Sequence, residues 1–189
     1  MLESLVIRNR SYRAFDESAP IGADTMRELI DLARRTPSGL NRQPLRYRIL
    51  SSAQDIATML GNCRFAAKLG IPLPPEGSKP TGFILMFTDR EAGSPDTLAL
   101  KDVGIAAQTI LLGAVERGFG GCMLASFDSA RLCADFGISE RYTPVLAIAL
   151  GKPAETAVLT EAVDGVLDYY RDGAGVHYVP KHAAKDVYI

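Results

Sequence analysis

The chain has 189 residues, 47% of them hydrophobic, and a formal net charge of −1. That size and apolar content suit one folded domain with a sizeable core and exclude a disordered chain. The near-zero charge gives no general attraction for nucleic acid or an anionic membrane, so any anion site is a local cluster of arginine and lysine and the expected partner is a small molecule.

Leu2, Leu5 and Val6 recur at helical spacing and predict a first helix ending near Asn9. Ser18-Ala19-Pro20 marks a turn, which leaves the segment from Arg10 to Phe15 in a connection. A second helix is expected with Asp24 as its cap and Met26, Leu29, Ile30 and Ala33 as its apolar stripe, ending before Pro37. Leu45, Tyr47 and Ile49 alternate with Arg46 and Arg48, the pattern of a strand with one buried face. Residues 82–88 read as a strand buried on both faces. Between these strands, residues 70–80 are rich in Pro and Gly and read as an irregular excursion, a candidate lid rather than a domain linker.

Residues 98–119 form the expected central helix, with small residues dense enough for close packing on several sides. The glycines at 118, 120 and 121 then read as a turn that lets backbone approach a neighbour or a flat ligand. Residues 145–150 are a buried strand stopped by Gly151 and Pro153. Residues 167–170 and 176–179 flank Asp172-Gly-Ala-Gly175 as a hairpin. Strands separated by helices in this order indicate a mixed α/β or α+β sandwich around one sheet.

The chemistry-bearing residues fall into two clusters. Arg10, Ser11 and Arg13 offer two guanidinium forks and a hydroxyl, a set suited to a phosphate. Ser38, Asn41 and Gln43 present donors and acceptors suited to the edge of a planar heterocycle. Asp102, early in the central helix, reads as an acidic residue stabilised by the helix dipole, and Met123 and Leu124 read as core whose backbone can line a ligand. His177 and His182 lack the spacing of metal ligands, and no serine sits in a nucleophile elbow. Three cysteines, Cys63, Cys122 and Cys133, have neither CxxC nor histidine-paired spacing and fit a reducing compartment. No signal-peptide core and no run of 18 apolar residues is present, so the expectation is a cytoplasmic protein.

Three motifs in order, Asn9-Arg-Ser-Tyr-Arg-Ala-Phe-Asp16, Pro37-Ser-Gly-Leu-Asn-Arg-Gln-Pro44, and Asp102-Val-Gly-Ile-Ala-Ala-Gln108 leading to Gly120-Gly-Cys-Met-Leu124, resemble the nitroreductase-like flavoproteins. Ile148-Ala-Leu-Gly-Lys-Pro153 extends the likeness over nearly the whole chain. The resemblance implies an α+β sandwich with a central mixed, mainly antiparallel sheet flanked by helices. It implies one domain over residues 1–189, with a tail from about residue 160 reaching towards a partner subunit. It also implies a homodimer that holds FMN between its subunits.

By this resemblance Arg10, Ser11 and Arg13 hold the FMN phosphate and the nearby polar edge, and Lys181 adds a basic phosphate ligand. Pro37, Ser38 and Asn41 reach the same flavin from the other subunit. Met123, Leu124 and Ala125 lie along the isoalloxazine, with the Ala125 N–H directed at N5, and Arg64 approaches the pyrimidine. The chain departs from the family where Asn9, His182 and Ala183 stand in place of basic residues and where Ala125 replaces a bulkier or acidic one. The implied activity is an FMN-dependent NAD(P)H oxidoreductase passing hydride through N5 to a nitroaromatic, quinone-like or other conjugated acceptor. The alternatives are a flavin-binding carrier or sensor without turnover, and a specialised reductase or dehalogenase in which residues 64–80 choose the substrate.

Overall fold

The computed structural model describes residues 1–66, 70–93 and 95–189. Its main sheet is built on β3 (Gly82–Asp89), every residue of which is buried. A strand apolar on both faces belongs at the centre of a covered sheet. Accordingly β2 (Leu45–Leu50) pairs with one side of β3 and β5 (Tyr142–Pro153) with the other. The far edge of β5 is shared by β4 (Gly120–Leu124) and the short β1 (Phe15–Asp16). Every pairing in this five-stranded sheet is antiparallel.

The register lines up Ile49, Ile84, Ile148 and Met123 as one row across four strands. That row faces α2 (Ala23–Ala33) and α4 (Thr97–Glu116), whose Met26, Leu29, Ala106 and Ile110 complete the first core. The opposite face carries Leu50, Phe83, Leu85 and Leu124 under α3 (Ala53–Asn62) and α5 (Ser129–Asp135). α1 (Leu2–Arg8) leans on α4 and buries none of its residues. A smaller sheet follows, in which β8 (His177–Lys181) lies parallel to β6 (Ala157–Glu161) and antiparallel to β7 (Tyr170–Arg171). The expected hairpin is therefore present, with the Asp172 carboxylate accepting the N–H groups of Ala174 and Val176 at 2.9 Å.

Several expectations change in detail. α2 starts at Ala23, which places Asp24 inside its first turn rather than at the cap. α3 and α5 were not expected, yet each has a clear start: the Ser52 hydroxyl accepts the Asp55 N–H and the Asp128 carboxylate accepts the Arg131 N–H. α4 has the length and apolarity of a membrane span, but Val103, Ala106, Ile110 and Ala114 are packed in the core. The turn after it is made by Gly118 alone, at φ +78°, whereas Gly120 and Gly121 are in a strand.

The expected close approach occurs at Gly121. A Cβ there would lie 2.3 Å from the Ala149 carbonyl oxygen, which is backbone and has no rotamer to yield. Gly121→Ala should therefore cost about 3 kcal/mol, read as a lower denaturation midpoint with an unchanged m-value.

Residues 70–80 contain neither helix nor strand, as expected of an excursion. Their far end is pinned, because Ser78 O accepts the Phe15 N–H at 3.0 Å and Glu17 accepts the Lys79 N–H at 2.8 Å. Residues 67–69 of the stretch expected to choose substrate lie outside the described residues. At the opposite end of β3, Asp89 is fully buried and receives Arg141 at 2.6 and 2.7 Å and Arg46 at 3.0 Å. Its backbone N–H donates to Pro44 O at 2.8 Å, which ties the end of the 37–44 loop to β3.

Candidate functional site

β4 is an edge strand whose free side takes the N-terminal connection. Ser11 forms a parallel bridge with Gly121, and the Tyr12 N–H donates to Gly121 O at 3.0 Å. The arginine cluster is thereby laid along β4. Glu155 then ties the connection to the small sheet: its carboxylate accepts the N–H groups of Arg13 and Ala14 and pairs with Arg171.

These ties create a cleft of about 360 Å³ between the two sheets. Arg10, Ser11 and Arg13 form one wall, Tyr169, His177 and Lys181 of the small-sheet region form the other, and Gln108 and Met123 lie between them. Arg13 is buried, with Nη1 donating to Ser11 O at 3.1 Å and to His177 Nε2 at 3.3 Å and the guanidinium 5.3 Å above the Tyr169 ring. An Nε2 that accepts from Arg13 assigns the imidazole proton to Nδ1. Burial, and then the Arg13 charge, hold His177 below its ordinary pKa, which keeps the ring neutral at neutral pH. Burial likewise pulls Arg10 below its usual value.

Three polar atoms on residues that line this cleft are buried without a partner: Nε of Arg10 and Arg13, and Nδ1 of His177. Such donors cost free energy unless a ligand meets or neutralises them. Three cationic side chains, a hydroxyl and the Asn9–Gln108 amide pair, bonded at 3.3 Å, suit a phosphate joined to a polar chain, and Met123 offers an apolar surface beside them. The residues present therefore fit a phosphorylated heterocycle such as FMN.

The other expected residues lie elsewhere on the chain. Pro37 and Ser38 line a separate cavity of about 180 Å³ with Asp102 and Tyr47. The Ser38 hydroxyl donates to Asp102 at 2.7 Å and accepts the Gln43 N–H at 3.0 Å, while the Gly39 N–H donates to Asp102 at 2.9 Å. Leu40, Asn41 and Gln43 are left-handed at φ 55°, 53° and 48°, each costing about 1 kcal/mol or more. The buried Asp102 carboxylate thus has a structural role, but its task is to clamp this strained loop rather than to answer a helix dipole. Burial, and then Asp102, push the Tyr47 hydroxyl up to about 12.

Asn41 is exposed at the loop tip. Leu124 points its side chain into the core under α5, so only its backbone is available to a ligand. Met123, expected in the core, is about 37% exposed, because it ends the isoleucine row at the sheet edge. Ala125 is exposed directly after β4, and Lys181 is exposed on the cleft rim. Arg64 lines a different cleft, where its N–H donates to Ser126 O at 2.9 Å. The tail from residue 157 folds back onto its own chain as β6 to β8, and Val187, Tyr188 and Ile189 end exposed. Sequence reasoning missed Glu155, Tyr169, Arg171 and His177, none of which carries a local signal of its role. The three cysteines are free, and burial raises each thiol above its usual value, so none is a ready nucleophile.

Comparisons with known proteins agree with this architecture. The model of the nitroreductase family matches residues 7–72 and 73–152. YodC of Bacillus subtilis (strain 168), named as an NAD(P)H nitroreductase, is 26% identical over 176 residues, covering 78% of this chain and 87% of the relative. The fold resembles that of a nitroreductase solved in complex with FMN from Desulfovibrio desulfuricans, with a TM-score of 0.70, 23% identity and coverage of 82% of this chain and 87% of that one. It also resembles the gut-bacterial enone reductase CLA-ER, with a TM-score of 0.72, 19% identity and coverage of 86% and 93%. With the family match spanning most of the chain and the antiparallel sheet and its helices in place, the protein belongs to the nitroreductase family.

Proposed function

We propose that the protein is a cytoplasmic, homodimeric, FMN-dependent NAD(P)H oxidoreductase that reduces nitroaromatic, quinone-like or other conjugated acceptors, with residues 1–189 acting as one FMN-binding domain. The observation that carries this reading is the set of unpartnered buried donors on the cleft between the two sheets. Arg10, Ser11, Arg13 and Lys181 would bind the phosphate, with the Arg13 charge buried where water screens it least. Met123, the Leu124 backbone and Ala125 would line the planar ring system. When bound, FMN supplies the acceptance and release of hydride, and the protein supplies position and electrostatics. The buried, neutral thiols leave that chemistry without a competing protein nucleophile.

Dimerisation is supported by apolar surface on neighbouring elements. Leu100 and Ile105 of α4 are exposed with open space at Gly104 between them, and Leu2, Val6 and Ile7 of α1 are exposed as well. Pro37, Ser38 and Asn41 are absent from the cleft of their own chain and would serve the FMN of the partner. The NAD(P)H donor is supported by the name of the Bacillus relative, and a conjugated acceptor by the enone reductase neighbour.

Titrating flavin-free protein with FMN and with riboflavin tests the phosphate assignment. FMN should bind at least about 100-fold more tightly, since each charge-assisted bond contributes about 1.5–3 kcal/mol. Equal affinity for the two would contradict it.

A further inference from the structure

Beyond the end of β4 the chain forms a second cleft, polar and about 520 Å³ in volume. Three backbone ties hold it together: Cys63 bridges Phe127 antiparallel, the Arg64 N–H donates to Ser126 O at 2.9 Å, and the Asp128 N–H donates to Asn62 O at 3.2 Å. The end of α3 is thus stitched to the segment leaving β4. The cleft is consequently next to Ala125 in the chain, while Arg13 lines the other cleft.

Arg64, Arg131 and Ser126 provide its polar walls and Phe127 an aromatic one. Two acidic groups lie nearby: Asp128 lines the cleft itself and keeps its charge, since its partner is a neutral N–H, whereas Asp135 is shared with Arg131. Asp128 accepts the Arg131 N–H at 3.0 Å to start α5, and Asp135 accepts Asn62 Nδ2 at 2.8 Å and lies 3.6 Å from Arg131 Nε. Among the described residues no carboxylate pairs with Arg64, whose side chain is exposed. Burial, and then the neighbouring Cys122, push the Cys63 thiol up to about 12, so it brings neither charge nor nucleophile to the cleft. What remains is a fixed site with one uncommitted guanidinium beside an aromatic ring, which suits recognition rather than bond making.

We propose that this cleft receives the acceptor and that Arg64 selects acceptors carrying a carboxylate on an aromatic ring. The inference rests on the oxidoreductase reading above, which puts the reacting part of the flavin along residues 123–125. It moves Arg64 from the cofactor to the acceptor. A guanidinium here also suits the phosphate of a nucleotide donor, so the shared chemistry is an oxyanion and the test separates its two sources.

The test uses FMN-loaded protein and compares kcat/KM for 4-nitrobenzoate with that for its neutral counterpart 4-nitrobenzamide, and NADPH with NADH, in the native protein, Arg64→Gln and Arg131→Gln. The native protein should favour the carboxylate about tenfold, the worth of one charge-assisted bond of roughly 1.4 kcal/mol or more. Arg64→Gln should erase that preference and leave the NADPH to NADH ratio in place, and Arg131→Gln, whose guanidinium is shared with Asp135, should reduce it less. No preference in the native protein, or a preference that survives Arg64→Gln, overturns the inference. A change confined to the NADPH to NADH ratio assigns the oxyanion to the donor and also overturns it, as does loss of bound FMN in Arg64→Gln. Absence of turnover with both compounds overturns the inference, and only bound flavin that neither NADH nor NADPH bleaches overturns the oxidoreductase reading itself.

Discussion

Arg13→Ala is expected to release FMN during gel filtration and to weaken its binding by about 100- to 1000-fold. The side chain is buried at the joint of the two sheets, bonded to Ser11 O and His177 and resting on Tyr169. Its removal takes away a poorly screened positive charge and also the contact that orients the opposite wall. One or two charge-assisted bonds at about 1.5–3 kcal/mol each give the stated range. Arg13→Lys should recover only part of the loss, because an ammonium lacks the planar guanidinium that rests over the Tyr169 ring and offers a fork of donors to a phosphate. Asp102→Ala should weaken FMN far less, since its carboxylate touches Ser38 and Gly39 and not the arginine wall. Dissociation constants that rise equally in the two variants would contradict the role given to Arg13.

The largest effect on stability is expected from Asp89→Ala. Asp89 is fully buried, and two arginines, Arg141 and Arg46, converge on it. Removing the carboxylate takes away the charge-assisted bonds donated by Arg141 and Arg46, whose side chains, 38% and 45% exposed, then turn to water. A fall in melting temperature of roughly 10 °C is expected for a domain of this size. Hydrogen bonds from Arg141, the largest cause, hold the Asp89 carboxyl down to about 2. Because the folded value lies below the unfolded one, this stabilisation is present above about pH 4 and lost as the pH falls through about 2. The native protein should therefore lose stability over that window more steeply than Asp89→Ala does. Parallel acid denaturation curves for the two would show that Asp89 is not the titrating group.

The parts of the fold legible in the sequence were those where local pattern and burial agree. β3 is apolar at nearly every position because both its faces are covered, and β2 alternates because one face is not. Gly120 and Gly121 looked like a turn by composition, but the segment pairs with β5 as a strand, and glycine stands at 121 because the Ala149 carbonyl leaves no room for a Cβ. α3 and α5 are short, and their caps at Ser52 and Asp128 are single polar residues in polar stretches.

The arginine wall was legible because its residues are neighbours in sequence. Its opposite wall was not, because Arg13 meets Glu155 and His177 across more than 140 residues, a distance over which no local spacing carries information. Asp102 shows a further limit. Its position near a helix start was sufficient reason for a carboxylate, and only the folded chain shows the three left-handed residues that it restrains.

FMN held in the inter-sheet cleft is expected to exchange hydride between NAD(P)H and an acceptor. Anaerobic addition of NADH or NADPH to the FMN-loaded protein, followed by a nitroaromatic acceptor, tests it through the visible absorbance of the bound flavin. The flavin colour should bleach with at least one nicotinamide donor and return when the acceptor is added. Protein that stays colourless after incubation with FMN, or bound flavin that neither donor bleaches, would contradict it.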